Sequence, residues 1–164
     1  VEVTVTSVTE DATRLEITAS RGVKLVGDCH ITAVGDSSVF DVIAVPGGMP
    51  GATNLRDSSE LTQMLRAQNE QKKMVAAICA APAVVLKHHG ILEEGMPATC
   101  YPAPAFTDAL GSALNESGVV VSGNIVTSRG PGTALAFSLK LIELLISKEK
   151  ADEIANQMLH GYAK

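Results

Sequence analysis

Met74-Val75-Ala76-Ala77-Ile78-Cys79-Ala80-Ala81-Pro82 is the stretch whose reading decides the fold. Met74 to Ile78 form an apolar run of strand length. From Ala80 to His89 the pattern turns helical, and Gly90 ends it. A cysteine at a strand-to-helix junction projects its side chain into an open crevice. The helix that follows supplies free N–H groups and a positive partial charge, which favour thiolate over thiol. Ala76, Ala77, Ala80 and Ala81 are small enough for a tight turn. A buried core cysteine is the competing reading for any Cys in an apolar run. The junction favours a nucleophile.

Working outward, Ser38 to Val45 reads as a second strand, apolar enough to be buried on both faces of a parallel sheet. Val1 to Thr6 alternates apolar and polar residues and reads as a strand, as do Arg14–Thr18 and Val23–Val26. Ser58 to Lys73 carries Leu61, Met64, Leu65 and Gln68 at helical spacing. A short strand and then a helix around Ala105–Leu114 are expected in 97–117. Val119-Val120-Val121 and Ile125-Val126-Thr127, joined through Gly123-Asn124, read as a hairpin. Thr133–Ile146 and Lys148–Leu159 read as helices.

Strands alternating with helices predict an α/β fold: one domain over 1–164, a mostly parallel sheet sandwiched by helices, with an embedded β-hairpin. Ligands in such folds sit at the carboxyl ends of the strands. That rule brings together Pro46-Gly47-Gly48, Ile78-Cys79-Ala80 and Ser128-Arg129-Gly130-Pro131-Gly132. Glycines after a strand let backbone N–H groups approach a ligand, so Gly48 and Ala80 N–H become candidate oxyanion donors. An ordinary tight turn is the plainer reading of Gly47-Gly48. The 128–133 loop could hold an anion at a helix N-terminus or a subunit contact through Arg129. Cys29 and Cys100 lack the junction context and read as structural. His88 and His89 read as helix-end caps, and neither they nor His30 and His160 show metal spacing.

Composition narrows the function classes. Thirteen Lys and Arg against 18 Asp and Glu give a net charge of −5, which offers no bulk attraction to nucleic acid. No apolar run reaches membrane-spanning length, and no signal-peptide pattern opens the sequence. Three dispersed cysteines form neither a zinc pattern nor a paired disulfide framework, which suits a reducing, cytoplasmic setting. The mean hydropathy of +0.21 is high for a small monomer and fits a self-associating chain.

Four motifs in order carry a family resemblance: Val45-Pro46-Gly47-Gly48, Gly51-Ala52-Thr53-Asn54-Leu55, Ala76-Ala77-Ile78-Cys79-Ala80-Ala81-Pro82, and Thr127-Ser128-Arg129-Gly130-Pro131-Gly132-Thr133. Together they resemble the parkinsonism-associated deglycase branch of the ThiJ/PfpI superfamily, over essentially the whole chain. The resemblance implies a flavodoxin-like homodimer without a cofactor or a metal. Its nucleophile maps to Cys79, and its oxyanion donors map to Gly48 and Ala80. Gly47, Tyr101, Arg129, Gly130 and Pro131 then line the substrate. The implied activity is that of a glyoxalase III or protein deglycase on methylglyoxal-type carbonyls and glycated protein. A redox-sensing regulator or holdase chaperone, signalled by oxidation of Cys79, is the second implied role.

The sequence departs from that branch in two places. Where its human member has Thr-His-Pro, this chain has Cys100-Tyr101-Pro102. Tyr101 can form hydrogen bonds but is no base near neutrality. No histidine follows Cys79, which argues against a peptidase or amidotransferase. The branch also begins with a strand and helix, roughly 30 residues of a βα half-unit, that bear a glutamate bonded to the cysteine. Val1 resembles the second strand, and Glu2, Glu10 and Glu16 do not match that glutamate. The expectation is a segment that is cleaved, separate or missing, including a docked N-terminal fragment as a partner.

Overall fold

In the computed structural model, residues 1–35 and 39–161 are described. The deciding stretch forms a central strand. Met74–Ile78, here β6, lies between β5 (Val42–Val45) and β8 (Ile125–Ser128), parallel to both. β7 (Val119–Ser122) closes the four-stranded sheet in the order β5-β6-β8-β7, antiparallel to β8. The β7–β8 hairpin turns through Gly123 at φ 58°, a left-handed conformation that suits glycine. The parallel strands alternate with helices, as the apolar runs and helical periods predict, and the architecture is α/β and flavodoxin-like.

The strands bury alternate side chains on opposite faces. Ile43, Val45, Val75, Ala77 and Ile125 join Leu61 and Leu65 of α2 (Ser59–Glu70) in the larger core. Ala76 and Val126 join Phe137 of α4 (Ala134–Leu145) on the other face. Ser58 caps α2 by accepting a hydrogen bond from Leu61 N–H at 3.2 Å. α5 (Lys148–Gln157) packs on α4 through buried Ala151 and Ala155.

Several expectations are corrected. β5 starts at Val42 and is an edge of its sheet, with Ala44 exposed, so it is buried on one face only. The expected start of that strand at Ser38 lies outside the described residues. The N-terminal alternation yields a ladder only at β1 (Thr6–Ser7), which pairs in parallel with β4 (Cys29–His30). Val1, Val3 and Val5 remain 82%, 71% and 50% exposed, although Val5 is bonded to the segment before β4, its carbonyl accepting from Asp28 N–H at 2.7 Å. After Cys79 the helix is a π-type segment, Pro82–Lys87. The helix expected around Ala105–Leu114 is α3, Pro104–Leu110, with a 3₁₀ turn over Gly111–Ala113. α1 (Gly51–Asp57) precedes α2 and was not read from the sequence.

β2 (Glu16–Thr18) and β3 (Lys24–Val26) form an antiparallel hairpin, and their tip is Ser20–Gly22. His89, just beyond the Pro82–Lys87 segment, has Nε2 2.7 Å from the carbonyl of Arg56 in the last turn of α1 and 3.2 Å from Thr62 Oγ1 of α2. His88 is exposed.

Candidate active site

Cys79 stands one residue past β6 with φ 66°. A left-handed conformation at a residue bearing a Cβ costs about 1–2 kcal/mol, and it persists where the surroundings fix it. Here both backbone groups are held. Cys79 N–H donates to the Ser128 carbonyl at 2.9 Å, and the Cys79 carbonyl accepts from Tyr101 N–H at 2.8 Å. Cys79 is half-buried at this elbow. Ala80 and Ala81, next along the chain, are buried.

The Pro46-Gly47-Gly48 turn rests on this elbow. A Cβ on Gly47 would lie 2.6 Å from Ile78 O, 2.7 Å from Cys79 Cβ and 2.8 Å from Ala80 N. The glycine is therefore required by close approach, as expected for a loop brought against a nucleophile. Gly48 adopts φ 88°. A Cβ there would lie 2.7 Å from Ser20 Oγ, so the tip of the β2–β3 hairpin covers the turn. Among the described residues, neither Gly48 N–H nor Ala80 N–H meets a backbone or side-chain acceptor. Sequence reasoning missed Ser20. Its contact with Gly48 spans 28 positions of chain, and no local pattern announces it.

The third segment is also in place. Ser128 is fully buried, and its Oγ donates to the Gly118 carbonyl at 3.1 Å. Gly130 N–H donates to Thr133 Oγ1 at 3.0 Å, which staples the 128–133 loop ahead of α4. Pro131 opens the 3₁₀ turn of that loop. A Cβ on Gly130 would meet Tyr101 Cδ2 at 3.4 Å, so the loop packs against the Tyr101 ring. Tyr101 is 43% exposed and sits edge-on to Phe106, 6.5 Å between centroids, at the rim of the site. Arg129 donates from Nη1 to the Glu116 carbonyl at 2.6 Å, which braces its own loop. Neither a carboxylate nor a histidine is hydrogen-bonded to Cys79 among the described residues.

The remaining cysteines differ. Cys29 lies in β4, outside this cluster. Cys100 is 1% exposed, and burial pushes its thiol up to about 11; nearby Arg129 opposes the rise and Cys79 adds to it. The sign of the stability effect follows. A pKa raised on folding means that the native state holds the proton longer than the unfolded chain. The contribution is then complete below about pH 9 and lost as pH rises toward 11. Two pKa steps correspond to about 2–3 kcal/mol. Unfolding free energies in urea should fall over that window in the wild type and fall less, by about this amount, in Cys100→Ala. Equal pH slopes for the two proteins would contradict the assignment.

No helix among the described residues is long and apolar enough to cross a membrane. The profile of the DJ-1/PfpI family matches residues 1–144. Protein DJ-1 homologs A and B of Arabidopsis thaliana are 44% and 41% identical over 96% of this chain, which spans 39% and 35% of their lengths. Glutathione-independent glyoxalase DJR-1.2 of Caenorhabditis elegans is 33% identical over 84% of this chain and 72% of that protein. The structure of oxidized Toxoplasma gondii DJ-1 superposes with a TM-score of 0.89 at 47% identity, covering 98% of this chain and 84% of that one.

Proposed function

This chain belongs to the DJ-1/PfpI family, and from that membership we propose that it is a cysteine-dependent glyoxalase III or protein deglycase acting on 2-oxoaldehydes and their early protein adducts. The observation that carries the reading is the elbow. A strained, half-buried cysteine lies against the Gly47-Gly48 turn, and the N–H groups of Gly48 and Ala80 have no acceptor among the described residues. A relative named for glyoxalase activity supports the choice of substrate class.

In this mechanism the Cys79 thiolate adds to the aldehyde carbon, forming a C–S bond. The carbonyl electron pair moves to oxygen. Gly48 and Ala80 N–H donate to that oxyanion, the charge that such preorganised donors stabilise most. A base removes the proton from the aldehyde carbon, and an acid delivers one to the neighbouring carbon. The adduct becomes a thioester of a 2-hydroxy acid. Water cleaves the C–S bond, releasing the acid and returning the thiol. The resemblance assigns the proton transfer to a glutamate on a segment that precedes the matched strands. Gly47, Gly130 and Pro131 shape the walls, with Tyr101 and Arg129 at the rim.

The proposal also includes a homodimer and a cytoplasmic setting. Exposed Leu135, Leu144 and Ile146 on and just beyond α4 support self-association. A reducing compartment keeps Cys79 in its nucleophilic form. A second reading, redox sensing or holdase action through Cys79 oxidation, is favoured by the same half-buried thiol and by the relative whose structure is of an oxidized form. The intact protein incubated with methylglyoxal separates the two. Steady accumulation of lactate supports the enzyme. A failure to make lactate, with Cys79 still oxidised by peroxide, supports the sensor.

A further inference from the structure

A cavity of about 290 Å³ opens between the end of α1, the Pro82–Lys87 segment and α3. No residue of the Cys79 elbow, the Gly47-Gly48 turn or the 128–133 loop lines it. Phe106 connects the two places, because it lines the cavity and stands edge-on to Tyr101 at the rim of the site. The lining is of two kinds. Val84, Ala105, Phe106 and Ala109 supply apolar surface around a single ring, and Arg56, Lys87 and His88 supply nitrogen donors. No carboxylate lines the cavity, and neither Asp57 nor Asp108, next to it in sequence, reaches it.

The charge in the cavity is unevenly matched. Arg56 donates from Nε and Nη2 to Asp57 Oδ1 and Oδ2 at 2.7 and 3.1 Å, and its Nη1 has no partner among the described residues. Lys87 is half-buried, and its ammonium has no ion pair or hydrogen bond among the described residues. One cation is therefore left over. The chain as a whole carries −5, so these cations are not a share of a generally basic surface. An unpaired ammonium beside apolar surface offers a charge-assisted hydrogen bond to an anion, while an aromatic and small aliphatic side chains bury its apolar part. Ligand sites commonly span about 300–1,000 Å³, so a cavity of this size suits a small molecule and not a nucleotide.

We propose that this cavity is a second ligand site, separate from Cys79, that takes a small organic carboxylate with an apolar body. The carboxylate meets Lys87 Nζ and Arg56 Nη1, and the apolar body lies against Phe106, Val84 and the two alanines of α3. The inference goes beyond the carbonyl chemistry proposed for Cys79 and does not depend on it.

The test follows ¹H–¹⁵N NMR spectra of the intact labelled protein during titration with sodium benzoate, benzamide and inorganic phosphate. The expected result is a saturable benzoate shift centred on the amides of Val84, Lys87, His88 and Phe106, with Gly48 and Ala80 unmoved. A Kd of about 1 mM or tighter is expected for a ligand of so few atoms. Benzamide keeps the shape without the charge and should bind about 5-fold more weakly or worse. Lys87→Gln should weaken benzoate by a similar factor. Ala109→Trp fills the cavity from an exposed position of α3, keeps every charge, and should abolish saturation. Shifts that do not saturate, or that centre on Gly48 and Ala80, would overturn the proposal. Benzamide binding as tightly as benzoate would remove the anion from it, and phosphate binding as tightly would remove the apolar body; either result overturns it. Methylglyoxal turnover at Cys79 is read separately, so its presence or loss leaves each of these outcomes intact.

Discussion

Cys79→Ser is expected to lose methylglyoxal turnover by on the order of 10³-fold or more, with the fold retained. The expectation rests on chemistry that only a thiolate performs at this position. A serine hydroxyl has no neighbouring base among the described residues to ionise it, and its addition to an aldehyde would give a hemiacetal with a poor path to a thioester-like intermediate. Serine is close to isosteric with cysteine, and it inherits the same two backbone hydrogen bonds, from Cys79 N–H to Ser128 and from Tyr101 to the Cys79 carbonyl. The backbone strain at φ 66° is therefore carried equally by both proteins. Lactate formation measured by enzymatic assay, beside a thermal melt, gives both readings. A variant that keeps a tenth or more of wild-type turnover with a normal melt would remove Cys79 from the mechanism.

Gly47→Ala should be the next most damaging change. The added Cβ meets Ile78 O, Cys79 Cβ and Ala80 N, all within 2.8 Å. None of these is the end of a flexible side chain, so the turn itself must move. Overpacking of this kind costs about 1–3 kcal/mol of stability. Displacing Gly48 also misaims one oxyanion donor, and losing such a donor typically costs about 10²–10³ in kcat. Gly51→Ala is the matched control, because a Cβ there meets nothing within 4 Å. The expected pattern is a fall in kcat larger than any change in KM for Gly47→Ala, and little change for Gly51→Ala. Equal behaviour of the two variants would mean that the turn does not position the site.

The parts of this site that the sequence made legible are those written in contiguous residues. An unbroken apolar run, Met74 to Ile78, followed by Cys79 and small residues, encodes both the central strand and the elbow. Gly123-Asn124 between β-branched runs encodes the hairpin. The misses have physical reasons. α1 opens on Gly51 and contains Thr53 and Asn54, weak helix formers that hid a helix held by tertiary contact with the Pro82–Lys87 segment. β4 has two residues, too few for a period. Val1 to Val5 alternate as a strand does, yet a ladder needs a partner as well as a pattern. The Ser20–Gly48 and Tyr101–Cys79 contacts join residues far apart in sequence, and only the assembled fold reveals them.

The central claim is that the carbonyl carbon bonds to Cys79 and that the turn and the elbow hold the resulting oxygen. It is tested most directly by ¹³C NMR of the intact protein mixed with methylglyoxal labelled at the aldehyde carbon. The account predicts a protein-bound hemithioacetal carbon, present in wild type, absent in Cys79→Ser, and giving way to labelled lactate carboxylate. A hemithioacetal signal that survives in Cys79→Ser, or lactate formed in wild type with no bond to Cys79 ever populated or trapped, would contradict it.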